Sequence, residues 1–302
     1  MVLSVIIILL FLTSIYSSSI IVFKYVTLGK RRSLEECFSI VEKDGIYSRT
    51  EFDKLIKEEA EIKSKDGLIL RGIFIEKFKN SKKVIIIVHG YNLAFPKSLC
   101  FIEMFFKEQF NVLLVDQRGH GRSEGKYATY GYYEKFDLDL WVSWVIDKIG
   151  KDAVIGLHGQ SMGGATALEY ASINKYVKFI IADCAYSDVW KLMKHQFTKL
   201  NHVPIFPFAF AVNYRLKIKA GFSFKDVSPI NSIKDKDIPV MFIHGAKDNF
   251  VPTCMSEEMY AVKPGYKKLL IVEEAVHANA YSADKELYEN EVCSFLEDII
   301  NF

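Results

Sequence analysis

The stretch A-V-I-G-L-H-G-Q-S-M-G-G, residues 153–164, decides the fold of this chain. It begins as an apolar strand, reaches the pattern Gly-x-Ser-x-Gly at residues 159–163, and continues through small residues as a helix. So sharp a turn between strand and helix strains the serine and lifts its hydroxyl clear of the sheet, while the flanking glycines prevent clashes. The pattern predicts that Ser161 is a nucleophile. The simpler alternative is an ordinary tight turn between a strand and a helix.

An activated serine needs a base, and the base needs a carboxylate that orients it. Asp248 lies just beyond the apolar run 239–243, which has the composition of a buried strand. His277 lies in the loop after a second such run, 268–272. We therefore predict His277 as the base and Asp248 as the orienting acid. Asp183 ends another apolar run and is the alternative acid.

A nucleophilic serine also needs two backbone N–H donors for the oxyanion that forms during attack. The first is expected from Met162, directly after the serine. The second is expected from Tyr91, because the apolar run 83–88 ends in a loop where Gly90 lets the backbone turn.

The other histidines and the cysteines indicate no metal site. Three histidines precede a glycine at a strand end and are interpreted as packed beneath the loops: His89, His158 and His244. The remaining three fit no metal-ligand spacing: His120, His195 and His202. The five cysteines are widely spaced, form neither a disulfide framework nor a zinc pattern, and include Cys184, interpreted as a buried thiol. We expect no metal and no cofactor.

Five groups of residues together resemble the α/β-hydrolase superfamily. They are residues 89–92, 116–123, 159–164, 228–230, and 244–248 with His277. More narrowly, the chain is similar to the bacterial branch of serine aminopeptidase-like and prolyl-oligopeptidase-like hydrolases, which includes membrane-anchored members that resemble esterases. The similarity covers roughly residues 60–300.

The resemblance implies a catalytic triad of Ser161, Asp248 and His277, and hydrolysis of an ester, an amide or a similar acyl bond. It implies a structural role for the D-x-R-G-x-G loop that begins at Asp116. It leaves the substrate open, because one fold hosts many chemistries.

The pattern of apolar runs predicts an α/β fold with a mostly parallel eight-stranded sheet and helices on both faces. Asp66-Gly67 between two strand-like runs favours a hairpin at the start of residues 59–302, the predicted hydrolase domain. The later strands are rich in Val and Ile without alternation, which is typical of parallel strands buried on both faces. They are predicted at 83–88, 111–115, 153–157, 178–182, 239–243 and 268–272.

Residues 189–236 separate two strands by far more than a crossover helix needs, and they are interpreted as a small cap. The segment is rich in aromatic residues and contains two prolines: Trp190, Phe197, Phe206, Phe208, Phe210, Tyr214, Phe222 and Phe224, with Pro204 and Pro207. We expect the cap to cover Ser161 and to line an apolar acyl or aromatic pocket. The alternatives are that the aromatic residues pack on one another, or that they contact a membrane surface near the N-terminal segment.

Residues 1–32 are predicted to be a transmembrane anchor or a signal segment, because about 20 apolar residues span a bilayer. An anchor is preferred, since no Lys or Arg precedes the apolar run, although Ser17–Ser19 offers a cleavage site. Basic residues cluster after the run, which favours a cytoplasmic hydrolase domain. In the membrane-anchored hydrolases that the chain resembles, the hydrolase domain often faces outward. An exported hydrolase domain is therefore the alternative. Residues 33–58 are predicted to form a linker helix.

The formal net charge of +2 gives no support for a nucleic-acid partner. Basic residues outnumber acidic ones in the predicted cap, which argues against a site for a free amino terminus. We therefore favour a serine carboxylesterase that acts on a small-molecule ester. The alternatives are a serine peptidase and a non-catalytic ligand-binding member of the same fold. Only the enzymes would be labelled by a fluorophosphonate at Ser161.

Overall fold

The computed structural model describes residues 2–200 and 206–300. Its eight strands are β1 (Glu58–Lys63), β2 (Ile69–Ile75), β3 (Lys83–Val88), β4 (Asn111–Val115), β5 (Val154–Gln160), β6 (Val177–Asp183), β7 (Val240–Gly245) and β8 (Lys267–Val272). The α-helices are α1 (Val2–Leu28), α2 (Leu34–Lys43), α3 (Arg49–Lys54), α4 (Ile102–Lys107), α5 (Glu134–Ile149), α6 (Met162–Tyr170), α7 (Val189–His195), α8 (Phe208–Ala220), α9 (Pro229–Ile233), α10 (Cys254–Val262), α11 (Ala280–Ala283) and α12 (Lys285–Ile300).

All eight strands form one sheet in the order β1-β2-β4-β3-β5-β6-β7-β8. The pairs β1/β2 and β2/β4 are antiparallel, and every other neighbouring pair is parallel. The hairpin predicted at Asp66-Gly67 joins β1 to β2, and Gly67 adopts a φ of 90° that favours glycine. The predicted α/β fold with a mostly parallel eight-stranded sheet is confirmed.

The central strand β3 shows why its sequence does not alternate between apolar and polar residues. Val84, Ile86 and Val88 belong to the apolar core on one face of the sheet, which includes Trp141 of α5. Ile85 and Ile87 belong to the core on the other face, together with the aromatic residues of the α4 region. A parallel strand buried on both faces needs an apolar residue at every position.

Two helices occupy the segment predicted as one linker helix. A capping box begins each of them, Ser33 with Glu36 for α2 and Ser48 with Glu51 for α3. The chain turns between them at Gly45, whose φ of 66° ends helical geometry. The apolar residues Phe38 and Phe52 are buried in the core, so the segment is packed on the domain as part of it.

The segment predicted as the cap contains α7, a π-helical turn at Gln196–Leu200, α8 and α9. Residues 201–205, with Pro204 and His202, lie outside the described part of the chain. The helix α8 packs along the second half of α1. There the guanidinium of Arg215 donates to the Ser19 hydroxyl over 3.2 Å and lies 4.8 Å from the ring of Tyr16.

The packing of β2 generates a test of the core. Phe74 is 1% exposed and packs edge-on against Trp144 at 5.4 Å. We expect Phe74→Ala to lower the free energy of unfolding by about 3–5 kcal/mol, because it removes buried apolar area and leaves a cavity. Urea denaturation in a mild detergent, followed by tryptophan fluorescence, measures the change. The matched control is Tyr176→Ala, at a ring that is 47% exposed, for which a change of at most about 0.5 kcal/mol is expected.

Candidate active site

Ser161 lies in the turn between β5 and α6 with φ 55° and ψ −117°. This left-handed backbone is strained for a residue with a side chain. The turn is held by the Ser161 N–H, which donates to the carbonyl of Asp183 over 2.7 Å. The arrangement places the hydroxyl at the carboxyl edge of the sheet, as the Gly-x-Ser-x-Gly pattern predicts.

The two flanking glycines are required by close backbone approach. A Cβ on Gly159 would lie 2.3 Å from the backbone of Gly163, and a Cβ on Gly163 would lie 2.0 Å from the carbonyl oxygen of Val88. Any larger residue at either position would push β5, α6 and β3 apart. The glycines therefore permit the tight turn that carries the serine.

Ser161, His277 and Asp248 are connected by two hydrogen bonds. The Oγ atom of Ser161 lies 2.9 Å from Nε2 of His277, and Nδ1 of the same ring lies 2.7 Å from Oδ2 of Asp248. A carboxylate accepts only, so Nδ1 carries the proton and Nε2 is free to accept the serine proton. This is the geometry of a nucleophile, a base and an orienting acid.

The surroundings of Asp248 keep its carboxyl ionised. Its Oδ1 accepts from the backbone N–H groups of Phe250 and Val251, both at 2.9 Å, and the ring of His244 lies 3.2 Å from Oδ2. Burial alone would raise the pKa of this carboxyl, but the hydrogen bonds from His244 and His277 hold it well below its usual range. Asp248 is therefore a negative charge beside the imidazole.

Asp183, the alternative acid, has a different role in the structure. Its Oδ2 accepts from the side-chain amide of Gln160 over 3.0 Å, and its backbone carbonyl holds the Ser161 turn. Burial raises the pKa of this carboxyl. Asp183 thus supports the end of β5, whereas it is Asp248 that accepts the hydrogen bond from the imidazole of His277.

The two expected oxyanion donors, Met162 and Tyr91, belong to residues that line the cavity beside Ser161. Met162 follows the serine directly at the start of α6. A Cβ on Gly90 would lie 3.5 Å from the Cβ of Ser161, so the loop after β3 passes directly beside Ser161. Tyr91 belongs to that loop.

The last turn of α1 packs against this loop, a contact that the sequence does not predict. The Tyr91 hydroxyl donates to the carbonyl of Tyr25 over 2.9 Å, and the Tyr91 ring stacks on Tyr130 at 5.7 Å. Gly29 follows the helix with a φ of 48°, and a Cβ there would lie 2.2 Å from the side chain of Asn92. The N-terminal helix is therefore joined to the loop that carries one expected donor.

The cavity beside Ser161 has a volume of about 470 Å³. The predicted cap contributes Leu192, Met193 and Gln196 to its wall. Its aromatic rings come from elsewhere in the chain: Tyr25, Tyr91, Tyr130, Tyr186 and Phe250. The cap aromatics that the structure describes are absent from this wall. Several of them pack on one another, as Trp190 does with Phe210 and Phe224.

The histidines at strand ends are buried and hydrogen-bonded. Nε2 of His89 accepts from the backbone N–H of Gln117 over 3.0 Å, and Nε2 of His158 lies 2.9 Å from the Tyr288 hydroxyl. In the D-x-R-G-x-G loop, Asp116 accepts from the N–H of Phe95 over 2.8 Å. These contacts hold the loops in place around the site.

Cys184, Asp248 and His277 present three potential ligand atoms within 4.8 Å of one another. The aspartate and histidine atoms already serve the hydrogen-bond chain to Ser161. Burial raises the pKa of the Cys184 thiol well above its usual value, and metals bind the thiolate. The group is therefore better explained by the hydrogen-bond chain than by a metal ion.

Comparison with known proteins shows the family of this chain. The family model of the α/β-hydrolase fold matches residues 83–203. The protein YqkD of Bacillus subtilis is 32% identical over 282 residues, which cover 92% of either chain. This chain belongs to the α/β-hydrolase superfamily.

Solved structures with the same fold include two kinds of hydrolase. The esterase Pf2001 of Pyrococcus furiosus superposes on this α/β-hydrolase with a TM-score of 0.65 and 26% identity, covering 84% of this chain and 96% of that one. The acylaminoacyl peptidase of Pyrococcus horikoshii superposes with a TM-score of 0.61 and 17% identity, covering 82% of this chain and 42% of that one. The second likeness concerns the fold alone.

Replacing each of the two aspartates by asparagine separates their roles in this α/β-hydrolase. We expect Asp248→Asn to slow labelling of Ser161 by a fluorophosphonate by up to about 10⁴-fold, because the imidazole then adopts the wrong tautomer. Asp183→Asn should slow it far less, because that carboxyl does not orient the base. Stopped-time labelling of the full chain in detergent measures both rates. Equal losses in the two variants would contradict this assignment of the acid.

Proposed function

We propose that this α/β-hydrolase is a serine carboxylesterase. The hydrogen-bond chain from Ser161 through His277 to Asp248 carries the proposal. His277 takes the serine proton as Oγ attacks the ester carbon, and Asp248 stabilises the resulting imidazolium. The alcohol leaves with that proton, and an acyl-enzyme remains. Water, activated by His277, then releases the acid and restores the serine.

The oxyanion in this proposal is received by the backbone N–H groups of Met162 and Tyr91. Each such donor is worth about 10²–10³ in rate when it is aimed at the developing charge. The position of Gly90 beside Ser161 supports this role for the loop. No step requires a cofactor.

An ester fits the cavity better than a peptide with a free amino terminus. Recognition of an ammonium group needs carboxylates, and Glu36 is the one carboxylate side chain among the described residues that line the cavity. Its Oε2 already accepts from the Ser33 N–H over 2.7 Å in the capping box. The rest of the wall is mainly aromatic and aliphatic, which suits a small or medium apolar acyl group. The likeness to an esterase supports this choice.

We further propose that α1 is a retained membrane anchor with the hydrolase domain on the cytoplasmic side. The helix has 27 residues and is the one described helix long and apolar enough to cross a bilayer. Its second half is built into the domain, since Phe23 and Val26 are buried and Ser19 binds Arg215. Cleavage near Ser19 would remove part of this packing. The basic residues after the helix favour the cytoplasmic side.

The ester proposal is tested with p-nitrophenyl esters from acetate to palmitate and the full chain in detergent. We expect hydrolysis with an optimum at one chain length, and we expect Ser161→Ala to lower it by about 10³-fold or more, because the nucleophile is gone. The control is Ser143→Ala, on the exposed face of α5, which should keep full activity.

Other outcomes distinguish the remaining functions. Cleavage of a matched p-nitroanilide at a rate comparable to the ester would favour the peptidase. Labelling by a fluorophosphonate without turnover of any ester would also point to a peptidase or to an enzyme that cleaves an unusual acyl bond. If neither labelling nor turnover occurs, the chain is a binding protein and the proposal is wrong.

A further inference from the structure

The cavity beside Ser161 is built partly by the N-terminal helix itself. Tyr25 and Val26, in the last turn of α1, line it, and so do Lys30 and Arg32, which follow the helix. The site of this enzyme is thus formed where the apolar helix meets the domain. A helix that only tethered the domain to a membrane would not need to contribute side chains to the cavity wall.

The length of α1 sets how close the domain comes to a bilayer. A hydrocarbon core about 30 Å thick needs about 20 helical residues. The stretch of α1 before Tyr16 supplies only about 21 Å at about 1.5 Å per residue. A membrane-spanning α1 therefore needs the stretch from Tyr16 to about Ile21 as well. That stretch packs beside α8 through Ser19 and Arg215, so α8 must lie at the membrane surface.

The outer face of α8 has the composition expected at that depth. Three residues of α8 spaced four apart form one apolar stripe: Phe210 (51% exposed), Tyr214 (69%) and Ile218 (60%). Phe206 (75% exposed), in the turn before the helix, extends the stripe because its ring lies 5.9 Å from that of Phe210. The α8 stripe and the exposed apolar surface of α1 lie on neighbouring helices, since Arg215 of α8 contacts both Ser19 and Tyr16 of α1. Lys217 and Lys219 border it, as is usual for helices that lie in the interface of a bilayer.

The mouth of the cavity carries positive charge. Lys30 and Arg32 are exposed there, and neither makes a salt bridge with any residue in 2–200 or 206–300. Glu36 is the neighbouring carboxylate, and its capping box with Ser33 occupies one of its oxygens. Arg31 points elsewhere, donating to the carbonyl of Lys126 over 2.6 Å. Two cations, Lys30 and Arg32, outnumber the one carboxylate, Glu36, which already accepts a hydrogen bond from Ser33. The mouth of the cavity therefore favours an anion.

We propose that the enzyme takes its substrate from the bilayer, and that this substrate is an acyl ester of a lipid with an anionic head group. The acyl chain enters the apolar wall formed by Leu192, Met193 and Tyr186, while the head group binds Lys30 and Arg32. The α8 stripe and the last turn of α1 hold the cavity against the leaflet. The reaction is that of the proposed esterase, on which this inference rests. Water cleaves the ester bond, and a fatty acid and the head-group alcohol are released.

The test uses the full chain reconstituted in phosphatidylcholine vesicles. Two probes are compared in the bilayer, a phosphatidylglycerol and a phosphatidylcholine that carry the same fluorogenic acyl chain. Soluble p-nitrophenyl butyrate is measured in parallel. We expect the anionic probe to be hydrolysed about tenfold faster than the zwitterionic one, because Lys30 and Arg32 attract an anionic head group. The preference should decrease at high salt.

Charge reversal at the mouth identifies the residues responsible. Lys30→Glu with Arg32→Glu should abolish the preference for the anionic probe. The matched control, Lys79→Glu with Lys151→Glu, changes the net charge equally at two exposed lysines on the opposite edge of the sheet and should retain it. Labelling of Ser161 by a fluorophosphonate verifies that every variant keeps a folded site.

Charges on the α8 stripe test the contact with the bilayer. Tyr214→Glu with Ile218→Glu should lower hydrolysis of both bilayer probes by about tenfold or more, because carboxylates resist entry into lipid. It should leave butyrate hydrolysis unchanged, since neither residue lines the cavity.

The two proposals fail in different ways. Butyrate hydrolysis with both bilayer probes left intact would overturn the lipid inference and keep the esterase. Equal rates on the two bilayer probes would overturn the anionic head group, and an unchanged bilayer rate in the α8 variant would overturn the contact of α8 with the leaflet. If butyrate and both bilayer probes are untouched, the esterase proposal itself fails.

Discussion

The close approach of three backbone segments around Ser161 is the constraint on which the rest of the site depends. The strand β5 must end, turn and enter α6 within a few residues, and α6 must begin against the end of β3. Gly159 and Gly163 allow this because a Cβ on either would overlap backbone atoms. The cost is a strained serine at φ 55°. Since the turn is fixed by backbone packing, the hydroxyl has a defined position to which a base and a donor loop can be fitted.

The proposed base, His277, is held in place through its hydrogen bond to Asp248. Asp248 receives two backbone N–H groups and faces two histidine rings, so its carboxylate is ionised and immobile. It presents one oxygen to His277, which in turn faces Ser161. Asp183 lies nearby but supports the turn through Gln160 and its own carbonyl. Two buried carboxylates at one sheet edge thus have separate tasks, because their partners differ.

The N-terminal helix connects this site to its surroundings. Its last turn packs in the core, accepts the Tyr91 hydroxyl and forms part of the cavity wall. The proposed anchor would place the mouth of the cavity at the level where a bilayer meets water. The apolar stripe on α8 and the exposed cations Lys30 and Arg32 at the mouth fit that position. In the two proposals, membrane attachment and the choice of substrate both follow from this packing.

Much of this protein follows from local sequence. The apolar runs predict six of the eight strands within a few residues, because strands buried on both faces are continuously apolar. The turn at Asp66-Gly67 predicts the hairpin that joins the other two. The Gly-x-Ser-x-Gly turn and the later Asp248 and His277 place three reactive residues after strand ends. Only the tertiary structure decided which aspartate meets the imidazole, that the cap aromatics lie away from the cavity, and that Tyr25 supports Tyr91. These contacts join residues distant in the chain, and such pairs leave no periodic pattern in the sequence from which they can be predicted.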